Sequence, residues 1–184
     1  MLSVAAQPIA APRTVAELSH AAVFALDEAG LRNALETHHA ESYGWALSCC
    51  RRRPDEAENV LQLAYLKVLS GKAVFDGKSS FKTWLFAVIR KTAAHERRME
   101  LLHRLRLSQI PKALDKKSPD QSTGVEIRLK DALGKLPARQ REVLQLVFYH
   151  DLSIVEAAKV MGVGVGSART HYERGKKQMR RRLE

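Results

Sequence analysis

Wherever apolar residues cluster along this chain, they recur at spacings of three and four, and alternation at a spacing of two is nowhere sustained. That pattern predicts helices and no sheet. The segment at residues 55–69, DEAENVLQLAYLKVL, carries the strongest local signal. Ala57, Val60, Leu61, Ala64 and Val68 form one stripe, and Leu63 and Leu66 widen the apolar surface beyond it. Pro54, Asp55 and Glu56 suit its start, where a missing N–H costs nothing and the helix dipole favours acids. A helix apolar over so much of its circumference is covered by its own domain all round, or by its own core on one side and a partner on the other. The segment at 81–98, FKTWLFAVIRKTAAHERR, is again helical. It sets Phe81, Trp84, Leu85, Val88 and Thr92 on one face and Arg90, Lys91, Ala94, Arg97 and Arg98 on another. Upstream, residues 31–52 offer Leu31, Leu35, Tyr43, Ala46 and Leu47, with Gly44 as a potential break. An S/T-x-x-E capping pattern at Thr14–Glu17 predicts a further helix over 15–28.

The C-terminal third repeats the helical pattern in shorter pieces. Thr123 to Glu126 is another capping-box match, opening a helix through Leu129 and Leu133 that Gly134 ends. Pro137 sits at the first turn of the next helix, whose Val143, Leu144, Val147 and Phe148 are expected to pack inward. Ser153 and Glu156 start a third, with Ala157, Ala158, Val160 and Met161 as its apolar face. Gly162-Val163-Gly164 stops it, because glycine takes the left-handed backbone of a C-terminal cap. A last helix is predicted over 165–182, carrying Ser167, Arg169, Thr170, His171, Arg174, Lys176 and Lys177. Two short helices around a glycine turn, the second rich in donors, suit a helix-turn-helix that reads the major groove. By itself the same pattern also fits a helical hairpin with a solvated basic face.

Two segments interrupt the helices. Residues 70–80, SGKAVFDGKSS, form a loop with one aromatic, Phe75, and two cations, Lys72 and Lys78. Such a loop can stack and hold an unpaired base, or Phe75 can simply plug the core. Residues 108–122 contain Pro111 and Pro119 and turn polar, which predicts a linker. The expected architecture is all-α: an N-terminal extension at 1–30, a helical domain at 31–107, the linker at 108–122, and a four-helix helix-turn-helix module at 123–184.

Composition sharpens this. The chain has 184 residues and a net charge of +11, from 31 Lys and Arg against 20 Asp and Glu. So one-sided a charge points to a polyanion partner, nucleic acid before an acidic membrane. Cys49 and Cys50 are the only cysteines, so there is no disulfide framework, and a reducing compartment is expected. His38, His39, Cys49 and Cys50 lack the C-x2-C and H-x3-H spacings of structural zinc, and no metal or cofactor is expected. No apolar span is long enough to cross a bilayer, which predicts a cytoplasmic protein without membrane insertion. No Ser-His-Asp, Cys-His or paired-carboxylate arrangement can be assembled, and the Gly162–Gly166 run lacks the strand context of a phosphate loop, so no enzyme is expected.

With these segments in hand, the chain resembles the sigma factors of bacterial RNA polymerase, the sigma-70 class, in its small extracytoplasmic-function (ECF) group. AENVLQLAYLKVL followed by SFKTWLFAVIRKTAAHERR looks like the second conserved region of that family. LPARQREVLQLVFYHDLSIVEAAKVMGVGVGSARTHYERGKKQMRRRL looks like the fourth. The resemblance implies a protein that directs core polymerase to specific promoters. It implies that Glu58, Asn59, Gln62, Leu63, Leu66 and Lys67 meet the clamp helices of the polymerase's largest subunit, with the flap of the second-largest subunit as a further contact. It implies that Lys72, Phe75, Lys78, Lys82, Arg90, Lys91, His95, Arg97 and Arg98 meet the −10 element. It implies that Ser167, Arg169, Thr170, His171, Arg174, Lys176 and Lys177 read the −35 element, and that an anti-sigma factor restrains the protein. Asn59 and Leu63 stand where many relatives carry acids, and Gly164 where serine is common at the cap. Glu173, in an otherwise basic helix, is expected to pair with Lys177 at i+4 rather than with a base. The competing reading is a helix-turn-helix regulator that acts without joining the polymerase.

Overall fold

The computed structural model describes residues 28–106 and 124–183, all of whose regular structure is helical. The eight described helices are α1 Glu28–Thr37, α2 His39–Cys49, α3 Pro54–Leu69, α4 Phe81–Arg106, α5 Gly124–Gly134, α6 Ala138–Phe148, α7 Ile154–Met161 and α8 Val165–Leu183. The helix expected over 15–28, the linker at 108–122 and the Thr123 cap lie outside the described residues, apart from Glu28, which opens α1.

The first four helices close around α3 and α4. Ala57, Val60, Leu61, Ala64 and Val68, the stripe read from spacing, are all buried. They face Leu85, Phe86 and Ile89 of α4, which are also fully buried. Trp45 from α2 completes this core. Its ring stacks on Phe86 with centroids 5.7 Å apart, and its indole N–H donates to the Phe86 carbonyl at 3.0 Å. Burying a tryptophan costs little once that one donor is satisfied. The break in the first segment falls at His38, not at Gly44. His38 leaves helical geometry at φ −97° and ψ 9°, which turns its ring onto Phe81 at 5.9 Å and its Nδ1 toward Glu41 at 3.3 Å. Gly44 stays inside α2.

Between α2 and α3, Arg51 and Arg52 take left-handed backbone, φ 54° and 60°. That costs of order 1 kcal/mol for each non-glycine residue. Backbone hydrogen bonds from Arg52 to the Leu47 carbonyl (2.8 Å) and from Arg53 to the Cys50 carbonyl (3.1 Å) hold the turn. At the start of α4 the Ser80 hydroxyl accepts from the Thr83 amide at 3.2 Å, an N-cap that satisfies one of the helix's orphan donors.

In the last four helices, Val143, Leu146, Val160 and Met161 are buried, while Phe148 is 64% exposed and stacks on Tyr172. Phe148 therefore does not pack inward as its spacing suggested. It falls on the last residue of α6, where the chain turns away and Leu152, not Phe148, reaches the core. Most of the buried apolar residues form one continuous cluster running from α1–α4 into α6 and α7.

Candidate nucleic-acid interface

The C-terminal pair of helices is built as its sequence dictates. Ser153 caps α7 with a complete capping box: its hydroxyl accepts from the Glu156 amide at 3.3 Å, and the Glu156 carboxylate accepts from the Ser153 amide at 2.9 Å. Gly162 ends α7 at φ 64° and ψ 40°, its amide and that of Val163 reaching back to the Ala158 carbonyl. Here a side chain would meet the left-handed penalty, so glycine is favoured. After Val163, α8 opens with the Gly164 carbonyl accepting from Ala168 at 3.0 Å.

Only Ala168 and Gly175 of α8 are buried. A Cβ at Gly175 would lie 3.0 Å from Leu144 Cδ1 and 3.3 Å from the Gln140 carbonyl oxygen. The absence of a side chain thus lets α8 lie directly against α6, and the remaining surface of α8 faces outward. Ser167, Arg169, Thr170, Arg174 and Lys177 are exposed, and His171 and Lys176 half-buried. The Thr170 hydroxyl donates to the Gly166 carbonyl at 3.0 Å. Lys176 lies 4.7 Å over the Tyr172 ring and 3.5 Å from Glu173. Glu173 therefore pairs at i+3 with Lys176, because the ring of Tyr172 draws that ammonium to the same side; the expected i+4 partner was Lys177.

The second set of candidates lies on α4 and the loop before it. Lys72 and Lys78 are exposed. Phe75 is half-buried, edge-on to Phe81 (5.7 Å) and Trp84 (5.3 Å), so its ring belongs to an aromatic cluster under the loop. The apolar side chain the loop presents outward is Val74, 73% exposed. Lys78 donates to Asp76 at 2.7 Å, and this bond holds the Asp76 carboxyl below its ordinary range. Lys82 pairs with Glu41 at 2.7 Å and lies 5.8 Å over Phe86. Burial raises the Glu41 carboxyl, but the hydrogen bond and charge of Lys82 outweigh it and leave it lowered. Arg90 is bonded through Nε to Glu142 of α6. Lys91, His95, Arg97 and Arg98 are exposed along the next two turns, beyond this contact.

The third set falls on the outward face of α3. Glu58, Asn59, Gln62 and Leu66 are exposed, Leu66 at 61%, with Leu63 half-buried beside them. Lys67 points the other way: its ammonium donates to the Thr92 hydroxyl of α4 at 3.0 Å.

Spacing had singled out none of His150, Glu142 and Lys159. His150 is 4% exposed, its ring edge-on to Trp45 (5.7 Å) and Phe86 (4.9 Å). Burial first, and then the Lys82 charge, push it down to about 4, against smaller opposing effects of Glu41 and Asp151. A neutral imidazole serves as an aromatic wedge between the two groups of helices. Its only sequence signal was a histidine directly after two aromatics at a helix end. Cys49 and Cys50 are thiols rather than thiolates, since burial pushes both up, Cys50 to about 11. No group of three or more metal-capable side chains occurs among the described residues. None of the described helices is long and apolar enough to cross a membrane.

Comparison with known proteins matches this geometry. Residues 34–100 match the family Sigma-70 region 2, and residues 126–179 match Sigma-70, region 4. The chain is 32% identical over 131 residues to the ECF RNA polymerase sigma factor SigF of Caulobacter vibrioides, covering 71% of this chain and 72% of that one. It is 27% identical over 158 residues to the ECF RNA polymerase sigma factor SigX of Bacillus subtilis, covering 81% of each. Among solved structures, the sigma factor RpoE in complex with the anti-sigma factor NepR from Bartonella quintana shares the fold, with a TM-score of 0.68, 22% identity and coverage of 83% of this chain and 95% of that one. The helix-turn-helix and the helical bundle before it thus define a two-region, all-α transcription factor of the sigma-70 class. The chain belongs to the ECF RNA polymerase sigma factors. Members of this family are regulatory DNA-binding proteins that join core RNA polymerase.

Proposed function

We propose that this sigma factor brings core polymerase to promoters by reading a −35 element with α8 and capturing a melted −10 element with α4 and the loop at 70–80. The observation that carries the reading is the α7–Gly162–α8 geometry. A capped positioning helix and a glycine turn leave α8 attached by two small residues, with Ser167, Arg169, Thr170 and Arg174 turned outward. Arginine and short hydroxyl side chains are the groups that reach base edges and phosphates in a major groove. On α4, Lys91, His95, Arg97 and Arg98 form the exposed cationic track for a strand backbone. In the loop, Val74 supplies the outward apolar contact and Phe75 supports it from beneath.

No nucleophile or cofactor is needed for this work. Unstacking a base step costs a few kcal/mol, and binding of the exposed bases offsets it. Mounting both readers on one polymerase makes the second contact effectively intramolecular, so each can be weak. The outward face of α3, centred on Gln62, Leu63 and Leu66 with Glu58 and Asn59 at its rim, meets the clamp helices of the largest subunit. The flap of the second-largest subunit provides a second hold, and an anti-sigma factor provides control. The structural neighbour's complex with such a factor supports the last assignment.

Reconstituted run-off transcription tests the reading. Core polymerase, this protein and fragmented genomic DNA of the source organism should yield discrete transcripts that depend on the protein. No such transcripts, together with no co-elution with core, would favour a regulator that acts on DNA alone.

A further inference from the structure

α4 outruns the core it helps to build. Its last buried residues are Thr92 and Ala93, yet the helix continues to Arg106. At 1.5 Å per residue, residues 94–106 carry it roughly 20 Å past its last buried side chain. Four large apolar side chains lie open on this stretch: Met99 at 50% exposure, Leu101 at 58%, Leu102 at 39% and Leu105 at 64%. Scattered singly such residues need no explanation, but gathered along one short stretch of helix they mark a contact surface.

The surface is not purely apolar. Spacings of four, three, four and three place Lys91, His95, Arg98, Leu102 and Leu105 on one face of α4. The cationic track assigned to the −10 strand thus runs directly into the leucines, and exposed Arg106 follows one turn after Leu102. Glu100 does not neutralise this face, because it bonds Arg104 on another side of the helix, toward Glu56 of α3.

That charge pattern selects the occupant. A second copy of this chain would set arginine against arginine, whichever way the two helices ran, and like charges so placed repel. Duplex DNA offers phosphates to the arginines and, between them, a minor groove whose base steps accept apolar side chains. The direction of the chain locates that duplex. From Arg106 it runs on to the group that carries α8, whose proposed element lies upstream. The end of α4 therefore faces the duplex on the upstream side of the −10 element.

We propose that the end of α4 is a third DNA contact, which rests on the −10 and −35 reading above. Arg98 and Arg106 hold phosphates of the duplex next to the upstream edge of the −10 element, and Leu102 and Leu105 press into its minor groove. The contact reads how easily the duplex unstacks rather than which bases it holds, so it favours pyrimidine–purine steps over A-tracts.

The test uses holoenzyme made from core polymerase and the full chain, on a promoter mapped by run-off transcription. One template carries the whole promoter, and the other begins at the upstream edge of the −10 element. Leu102→Ala with Leu105→Ala should weaken binding to the whole promoter roughly fivefold and leave the truncated template unaffected. Arg106→Ala should lower the salt slope on the whole promoter by about one, and Arg104→Ala, the same charge lost from another face, should not. With the parent protein, a TA step just upstream of the −10 element should bind tighter than an A-tract, and the leucine variant should lose that preference. Parent-like binding of the whole promoter by the leucine variant would overturn the contact. So would equal losses on both templates, which would move the leucines to the −10 strand. Loss of co-elution with core in the leucine variant would make this face a polymerase contact, and loss of a parental dimer on a sizing column would make it a contact between copies; either result overturns the proposal. Lys91→Ala with Arg97→Ala addresses the underlying reading and should weaken both templates. If it weakens neither, or if no transcript depends on the protein, that reading falls and the upstream contact with it.

Discussion

The two long basic helices, α4 and α8, look alike in sequence and differ in what surrounds their charges. Each carries a run of lysine, arginine and histidine, and each lies in a segment matched by one of the two sigma-70 regions. On α8 the bases-facing candidates are open: Arg169, Arg174 and Lys177 are exposed and make no ion pair among the described residues. On α4 the first two cations are already answered, Lys82 by Glu41 and Arg90 by Glu142. A count of basic residues therefore measures the capacity of a helix for polyanions, and only the neighbouring acids decide its availability. The candidate cations of α8 are open to solvent, whereas those of α4 are open only from Lys91 onward.

The largest effect that would break this comparison is at Gly175. Gly175→Val places a side chain against Leu144 and the Gln140 backbone, where overpacking costs about 1–3 kcal/mol, with the rigid carbonyl pushing toward the upper end. Thermal unfolding should show the last four helices destabilised, and −35 duplex binding should fall with them. Equal stability would mean that α8 is not seated on α6 as described.

Next comes pH. Buried between the two groups of helices, His150 is lowered to about 4, below the ordinary 6.5. Burial is the main cause and the Lys82 charge the second, opposed by Glu41 and Asp151. A histidine with a lowered value contributes its full stability to the fold above 6.5, and that contribution is lost as pH falls from 6.5 toward 4. Acidification from pH 7.5 to 5.5 should therefore lower the unfolding free energy by about 1 kcal/mol, read by chemical denaturation. His150→Phe, which keeps the aromatic packing without the titration, should flatten that dependence in the same denaturation measurement; an undiminished response would assign it to other groups.

Arg174→Ala sharpens the comparison from the α8 side. Binding to a −35 duplex should weaken roughly fivefold, and the slope of log K against log salt should fall by about one. An unchanged slope would remove Arg174 from the phosphate contacts. The smallest effect is Ser153→Ala, which deletes the N-cap of α7 and should cost about 0.5–1 kcal/mol in unfolding of the last four helices. It leaves α4 untouched except through the positioning of Glu156.

Much of the architecture was legible because it depends on neighbours in sequence. Capping at Ser153, the glycine stop at Gly162 and the inward stripe of α3 are all decided within one or two turns of helix. The errors have the same origin seen from the other side. Phe148 was assigned inward by periodicity, yet the periodicity ends one residue before the chain turns. Composition offered Gly44 as a potential break, whereas the chain breaks at His38, whose ring meets Phe81 43 positions away. Glu173 was matched to Lys177 by spacing, but the ring of Tyr172 drew Lys176 instead.

By itself, then, the sequence determined the helices, the glycine turn and the excess of positive charge. These follow from backbone geometry, local hydrogen bonds and composition, none of which needs a distant partner. Only the tertiary structure decided which charges are spoken for. Arg90 finds Glu142 across 52 positions and Lys159 finds the Lys78 carbonyl across 81, and His150 is neutral because residues of α2 and α4 bury it. Ion pairing and desolvation depend on distance in space, and that distance is set only when the two groups of helices come together.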